Sequence, residues 1–326
     1  MFFDNVLKPY QRRRFLFIAS TVGVYLSYLL YGIFQEKVTK TKYNGEKFKY
    51  YLFLVCSLCA CNALVARILL TFTNIKLSRF PALPFLRISV TYVIAMLASN
   101  ASLMWLTYPS QVLLKSCKMV PVLIAGVLIR RVKYHISKYV AVFLITSGIV
   151  IFMLKMGNKS SGTDINIIPG IILGIISLIF DGFTAVSQDS AVAKYDAPFL
   201  VLMYRTNIYG AFILFIFSVF SGESFLALGF ISRNPTILLP FFGFALFSAV
   251  GQCFVFLLVT KFGSLLCTTV TTTRKFFTLL LSVVLFGNRI TLIQWGAVLL
   301  VFSGISLEKI WKKKTFREKP FKNSPV

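Results

Sequence analysis

The chain has 326 residues, of which 57% are hydrophobic and 16% aromatic while only 14% are charged. Soluble domains carry about a quarter charged residues, so this balance excludes an ordinary water-soluble globule. The net charge of +25 would suggest nucleic acid in a soluble chain, and here its meaning depends on where the basic residues lie.

A helical span needs roughly 20 apolar residues. Ten such stretches follow one another at 15–36, 50–73, 84–107, 109–129, 137–155, 166–188, 199–220, 236–260, 265–287 and 291–307. They are too long for buried strands and lack the alternation of a membrane barrel. The expectation is therefore an all-α membrane protein of ten transmembrane helices.

The first span follows "KPYQRRRF" and runs on through "YLSYLLYGIFQEKV" without a small-residue cleavage site, so it reads as a permanent helix rather than a removable signal. It ends on Glu36. The second carries "CSLCAC", with Cys56, Cys59 and Cys61. Cys117, Cys253 and Cys267 also fall inside spans, and the single histidine, His135, lies in a distant loop. Small packing residues are the better reading of these thiols, with no metal, disulfide or cofactor expected.

The fourth span begins "YPSQVLLKSCKMVPVLIAG". On a continuous helix Gln111, Lys115 and Lys118 stand at i, i+4 and i+7 and form one polar stripe. A lysine stem can reach back to the headgroups, but at about 1.5 Å per residue Lys118 lies roughly 14 Å inside the span. The stretch "KMGNKSSGTDIN" (155–166) that follows the fifth span is the most linker-like in the chain. Asp181 and Asp189 lie on the sixth span, Arg205 on the seventh and Gln252 on the eighth.

The ninth span contains "TTVTTTRKFFTLLLSVVL", with Arg274 beside Lys275 and no acidic residue between Leu265 and Gly287. Both lie about ten residues from either end, where a charge costs near 3 kcal/mol on insertion scales. Neighbours on a helix point about 100° apart, so one of the two can be structural. Thr268, Thr269, Thr271, Thr272 and Thr273 precede them and suggest a wet, hydroxylated surface. Glu36, Asp181 and Asp189 are too few to cancel Lys115, Lys118, Arg205, Arg274 and Lys275. A cation surplus at membrane depth implies an anionic ligand, and phosphate chains suit lysine point charges and an arginine fork.

Two halves emerge when 118–149 is laid over 275–306. Lys118 then matches Lys275, and the Ser-Gly pair 147–148 matches 303–304. "FQE" at 34–36 has a counterpart in "SQD" at 187–189. The expected organisation is a basic N-terminus (1–14), a first five-helix repeat (15–155), a linker (156–165), a second five-helix repeat (166–307) and a basic tail (308–326). Five is odd, so the second repeat must run inverted through the membrane, an architecture of secondary transporters.

With the N-terminus in the cytosol, nineteen basic residues fall on the cytosolic side, nine on the other and seven inside spans. That bias places both termini in the cytosol and assigns the net charge to the lipid bilayer rather than to nucleic acid.

"YGIFQEKVT", "YPSQVLLKSCKMVPV", "DGFTAVSQD", "SAVGQCFVF" and "TTTRKFFTLLLSVVLFGN", in this order, strongly resemble the nucleotide-sugar transporters of the drug/metabolite transporter superfamily. The likeness runs from about residue 25 to 307. It is strongest to the endoplasmic-reticulum branch of solute carrier family 35, subfamily B, described both as UDP-galactose transporter homologues and as ATP/ADP exchangers. The resemblance implies ten helices in two inverted repeats and nucleotide contacts at Lys115, Lys118, Arg274 and Lys275. Gln111, Gln252, Glu36 and Asp189 sit in matching motifs as binding or gating positions. It implies residence in the endoplasmic reticulum, with the Golgi as the alternative. The tail "KPFKNSPV" departs from the dilysine retrieval signal of that branch, having lysine only fifth from the end.

The reading is a nucleotide antiporter exchanging ATP and ADP, and the alternative is an exchanger of UDP-galactose for a nucleoside monophosphate. An enzyme is not expected, since no nucleophile–base pair, metal cluster or glycine-rich phosphate loop stands out. A basic-tailed membrane scaffold would leave the intramembrane cations unexplained. The sequence leaves the oligomeric state open.

Overall fold

The computed structural model describes residues 9–73, 75, 77–102, 105–106, 111, 114–115, 117–157, 168–285 and 291–315. Their helices are α1 (Pro9–Lys40), α2 (Tyr51–Thr71), α3 (Ala82–Ser102), α4 (Met119–Leu128), α5 (Ile136–Gly157), α6 (Ile168–Tyr195), α7 (Phe199–Phe220), α8 (Glu223–Arg233), α9 (Leu238–Phe262), α10 (Ser264–Leu285) and α11 (Leu292–Thr315). Six described segments are long and apolar enough to cross a membrane: 11–39, 51–71, 82–102, 168–195, 199–220 and 235–262. Shorter apolar helices cover 119–128, 136–152 and 292–307. Large apolar side chains face outward along these elements, among them Phe212, Phe215, Phe217 and Phe220 on α7. That surface suits hydrocarbon rather than water. The protein is a multi-pass, all-helical membrane protein.

Two elements were absent from the sequence reading. Lys42–Tyr43 pairs antiparallel with Glu46–Lys47 through an Asn44-Gly45 turn with φ of 50° and 89°, the left-handed conformation that favours this dipeptide. Helix α8 replaces an expected loop. At 11 residues it is too short to span, and it buries Ala227 and Phe230. Its first residue, Glu223, accepts N–H bonds from Leu52 at 2.6 Å and Phe53 at 3.3 Å, so it caps the start of α2.

The chain forms two compact units. One comprises residues 1–94 and 183–274, the other residues 95–182 and 275–326. Helices α3, α6 and α10 therefore contribute to both.

In the first unit α1 packs on α9 and α2 on α7, around Val24, Ala66, Phe85, Leu202, Met203 and Leu258. Glycines permit the close approach: Phe254 lies over Gly23 and Tyr28 over Gly251, where an added Cβ would come within 2.6 Å and 2.9 Å of the rings. Asn62 donates to Asn207 at 3.4 Å across the α2–α7 contact, giving both buried amides a polar neighbour.

In the second unit α5 packs on α11 through two glycines. A Cβ on Gly148 would lie 2.7 Å from the Ala297 carbonyl oxygen and 2.8 Å from Val301, and one on Gly304 would lie 2.7 Å from Ile145 and 3.0 Å from the Ala141 carbonyl oxygen. Gly148, Ala141 and Ile145 become Gly304, Ala297 and Val301 when shifted by the offset that aligns the Ser-Gly pairs. The contact is thus reciprocal, as a local twofold requires. Gly148→Val and Gly304→Val are each expected to lower the stability of the detergent-solubilised protein by about 1–3 kcal/mol through overpacking. Unchanged thermal unfolding of both variants would contradict this account of the contact.

Candidate functional site

Lys115 and Lys118 do not lie on a uniform helix. The Lys118 N–H donates to the Lys115 carbonyl at 3.3 Å, Cys117 N–H to Leu114 at 3.1 Å and Val120 N–H to Cys117 at 3.0 Å. These are i→i−3 bonds, and regular α-helix resumes only at Met119. Pro121 supplies a reason. It has no N–H to give the Cys117 carbonyl four residues back, and that carbonyl takes the Val120 N–H instead. The expected step from Lys115 to Lys118 is thereby corrected from a regular helical turn to a tighter i→i−3 turn, while residues 112, 113 and 116 within the expected stripe lie outside the described residues.

A tight turn eclipses side chains at i and i+3, which brings both lysines onto one carboxylate. Lys115 Nζ donates to Asp181 Oδ2 and Lys118 Nζ to Asp181 Oδ1, each at 2.9 Å. Lys115 also donates to the Ser177 hydroxyl, which donates in turn to the Ala95 carbonyl. Ser177 and Asp181 are one turn apart on α6 and face the same way. The Lys118 side chain is 34% exposed, against 16% for Lys115 and 12% for Asp181. Lys115 is the anchored member of the pair, and Lys118 has donors to spare for a ligand. Lys118 also stands at the residue before α4, with no side-chain capping bond, so the positive end of that helix dipole begins beside it. Gln111 donates to the Ser99 carbonyl at 2.5 Å and the Ser99 hydroxyl at 3.2 Å, tying the chain before the lysines to α3.

Arg274, Gln252 and Asp189 belong to the other unit. The Arg274 guanidinium lies over the Tyr28 ring, 4.9 Å from its centroid, a cation–π contact on α1. Gly251 leaves room for that ring, and half-buried Gln252 follows it on α9. The Tyr25 hydroxyl donates to Thr273 at 3.1 Å, one residue from Arg274. Asp189 accepts from the Ser264 N–H at 2.8 Å and from its hydroxyl at 2.7 Å, capping the helix that carries Arg274. Lys275 and Glu36 lie on described helices, but their side chains are outside the described residues.

The threonines of α10 differ from expectation. Thr268, Thr269, Thr272 and Thr273 are buried. The hydroxyls of Thr268, Thr269 and Thr273 donate to carbonyls four residues back, which satisfies them within the helix instead of lining a wet surface. Arg205 is likewise a structural cation. It donates to the Tyr209 hydroxyl at 2.6 Å and the Leu77 carbonyl at 3.1 Å, holding the turn before α3.

A family model for UAA transporters matches residues 16–312. The chain belongs to the UAA transporter family. Solute carrier family 35 member B1 from Xenopus tropicalis is 41% identical over 298 residues, covering 90% of this chain and 92% of the relative. The mouse protein of the same name is 40% identical over 90% of this chain and 93% of its own length, and the Drosophila melanogaster homologue 37% over 93% and 92%. This UAA family member is therefore a nucleotide or nucleotide-sugar transporter of the nucleotide-sugar transporter group. Among solved structures, a crystal structure matches with a TM-score of 0.57 at 12% identity, over 91% of this chain and 98% of that one, a likeness of fold alone.

Asp181 and Tyr28 are the residues that sequence reasoning missed as site members. Asp181 was counted only as one of three intramembrane acids. Its spacing from Ser177, together with Tyr25 and Tyr28 one turn apart on the first helix, was a readable signal of polar faces inside spans.

Proposed function

We propose that the protein is an antiporter exchanging ATP and ADP across the endoplasmic-reticulum membrane by alternating access. Phosphates are held by Lys115, Lys118, Arg274 and Lys275. The observation that carries this reading is the lysine pair at an interrupted helix, the kind of broken element that transporters use at their binding sites. Four cations suit a polyphosphate of about three to four negative charges better than a nucleotide sugar of about two. Gln111 and Asp189 position the binding segments through Ser99 and Ser264, while Gln252 and Glu36 serve as binding or gating residues.

Ten crossings in two inverted repeats, 15–155 and 166–307 joined by 156–165, with both basic termini in the cytosol, complete the proposed architecture. Support comes from the reciprocal Gly148 and Gly304 contact and the matched lysines. Membership of a nucleotide-sugar transporter family favours a second reading, exchange of UDP-galactose for a nucleoside monophosphate.

Purified protein in liposomes, offered labelled ATP, ADP, UDP, UDP-galactose and UMP, separates the two. ATP uptake driven by internal ADP is expected to exceed every uridine nucleotide by about tenfold, roughly 1.4 kcal/mol of discrimination. Preferred UDP-galactose uptake against internal UMP would replace the first reading with the second.

A further inference from the structure

We propose that Asp181 is a resident counter-anion that competes with substrate phosphate for the ammonium groups of Lys115 and Lys118, setting both the strength of binding and the ease of the unloaded return. This rests on the proposed phosphate site.

The geometry is that of competition. Each Asp181 oxygen takes one ammonium, at 2.9 Å in both cases, so the carboxylate occupies the two lysines in the bidentate way that a phosphate would. Lys118 has two N–H donors beyond the one given to Asp181, and Lys115 has one beyond Asp181 and Ser177. Substrate can therefore engage while the carboxylate still holds, and then displace it. Ser177, fixed to the Ala95 carbonyl, keeps Lys115 in place as the carboxylate is exchanged. The same negative charge opposes an incoming phosphate at short range, where a buried charge is weakly screened. Asp181 thus weakens substrate binding and stabilises the lysine pair when no phosphate is present.

Removing the charge while keeping the shape should reverse both effects. Asp181→Asn is expected to bind inorganic pyrophosphate about tenfold more tightly, read as the concentration dependence of the thermal shift of detergent-solubilised protein. In liposomes its labelled-nucleotide uptake into empty vesicles should fall about tenfold relative to uptake into preloaded ones. Equal or weaker pyrophosphate binding by the folded variant would overturn the proposal, because a carboxylate that merely positioned the lysines would weaken binding on removal. An unchanged ratio of preloaded to empty uptake would overturn the second half.

Should Asp181→Asn not accumulate as folded protein, the Lys115→Gln/Asp181→Asn double variant keeps the net charge of the cluster. It is expected to bind pyrophosphate within about threefold of the unaltered protein, and a tenfold loss would sink the idea. Failure of the unaltered protein to carry any nucleotide would refute the transport reading instead, and the pyrophosphate comparison would still decide the role of Asp181.

Discussion

Lys118→Ala is expected to lower nucleotide exchange about a hundredfold while leaving the thermal stability of the solubilised protein nearly unchanged. A charge-assisted hydrogen bond to phosphate contributes roughly 1.5–3 kcal/mol, and about 1.4 kcal/mol is one factor of ten. Asp181 does not become an orphaned charge in this variant, because Lys115 still donates to its other oxygen at 2.9 Å. The exposed end of the pair is thus removable. Lys115→Ala should behave differently. It takes away the better-buried ammonium and leaves Ser177 without its donor, so both transport and thermal stability should fall.

Arg274→Lys is expected to be damaging as well, since lysine neither offers a planar fork to phosphate nor stacks its face on the Tyr28 ring as a guanidinium does. Lys275→Ala should match Lys118→Ala in severity, as its counterpart in the repeat. Exchange rates in liposomes, set beside unfolding temperatures of the same preparations, check all four variants. Normal exchange by Lys118→Ala and Lys275→Ala would remove the phosphate-site assignment.

Much of this was legible in the chain. The apolar runs and the cations set among them are properties of local composition, and local composition is what a single sequence displays. The Ser-Gly pairs were visible as a repeat, and the structure gives them work as the close contact between α5 and α11. What failed were inferences needing a partner from elsewhere. Lys115 and Lys118 looked uncompensated because their acid lies more than 60 residues away on another helix. The polar stripe through Gln111 assumed a regular helix, although Pro121 carried the information that its first turn would lack a donor. The threonines of α10 read as a wet surface, because back-bonding to a helix carbonyl leaves no mark on sequence. Helix α8 escaped notice since no span-length pattern marks a short helix that buries one face.

Preloading the liposomes with ADP is expected to raise initial ATP uptake about a hundredfold over empty liposomes. If Lys115, Lys118, Arg274 and Lys275 hold the phosphates as proposed, alternating access would carry them through a closed state with little water. A bound polyphosphate compensates them there. Without it that compensation is lost, and desolvating even one uncompensated charge costs several kcal/mol. An added barrier of about 3 kcal/mol slows the unloaded return by roughly a hundredfold. Unloaded carrier then waits on the inner face until internal nucleotide releases it, which makes uptake depend on what the vesicle already holds. Salt distinguishes this electrostatic cause from a steric one: small anions that enter the site should speed the unloaded return, so uptake into vesicles without nucleotide should rise with phosphate or pyrophosphate inside. Equal initial rates in preloaded and empty liposomes would instead make the protein a uniporter.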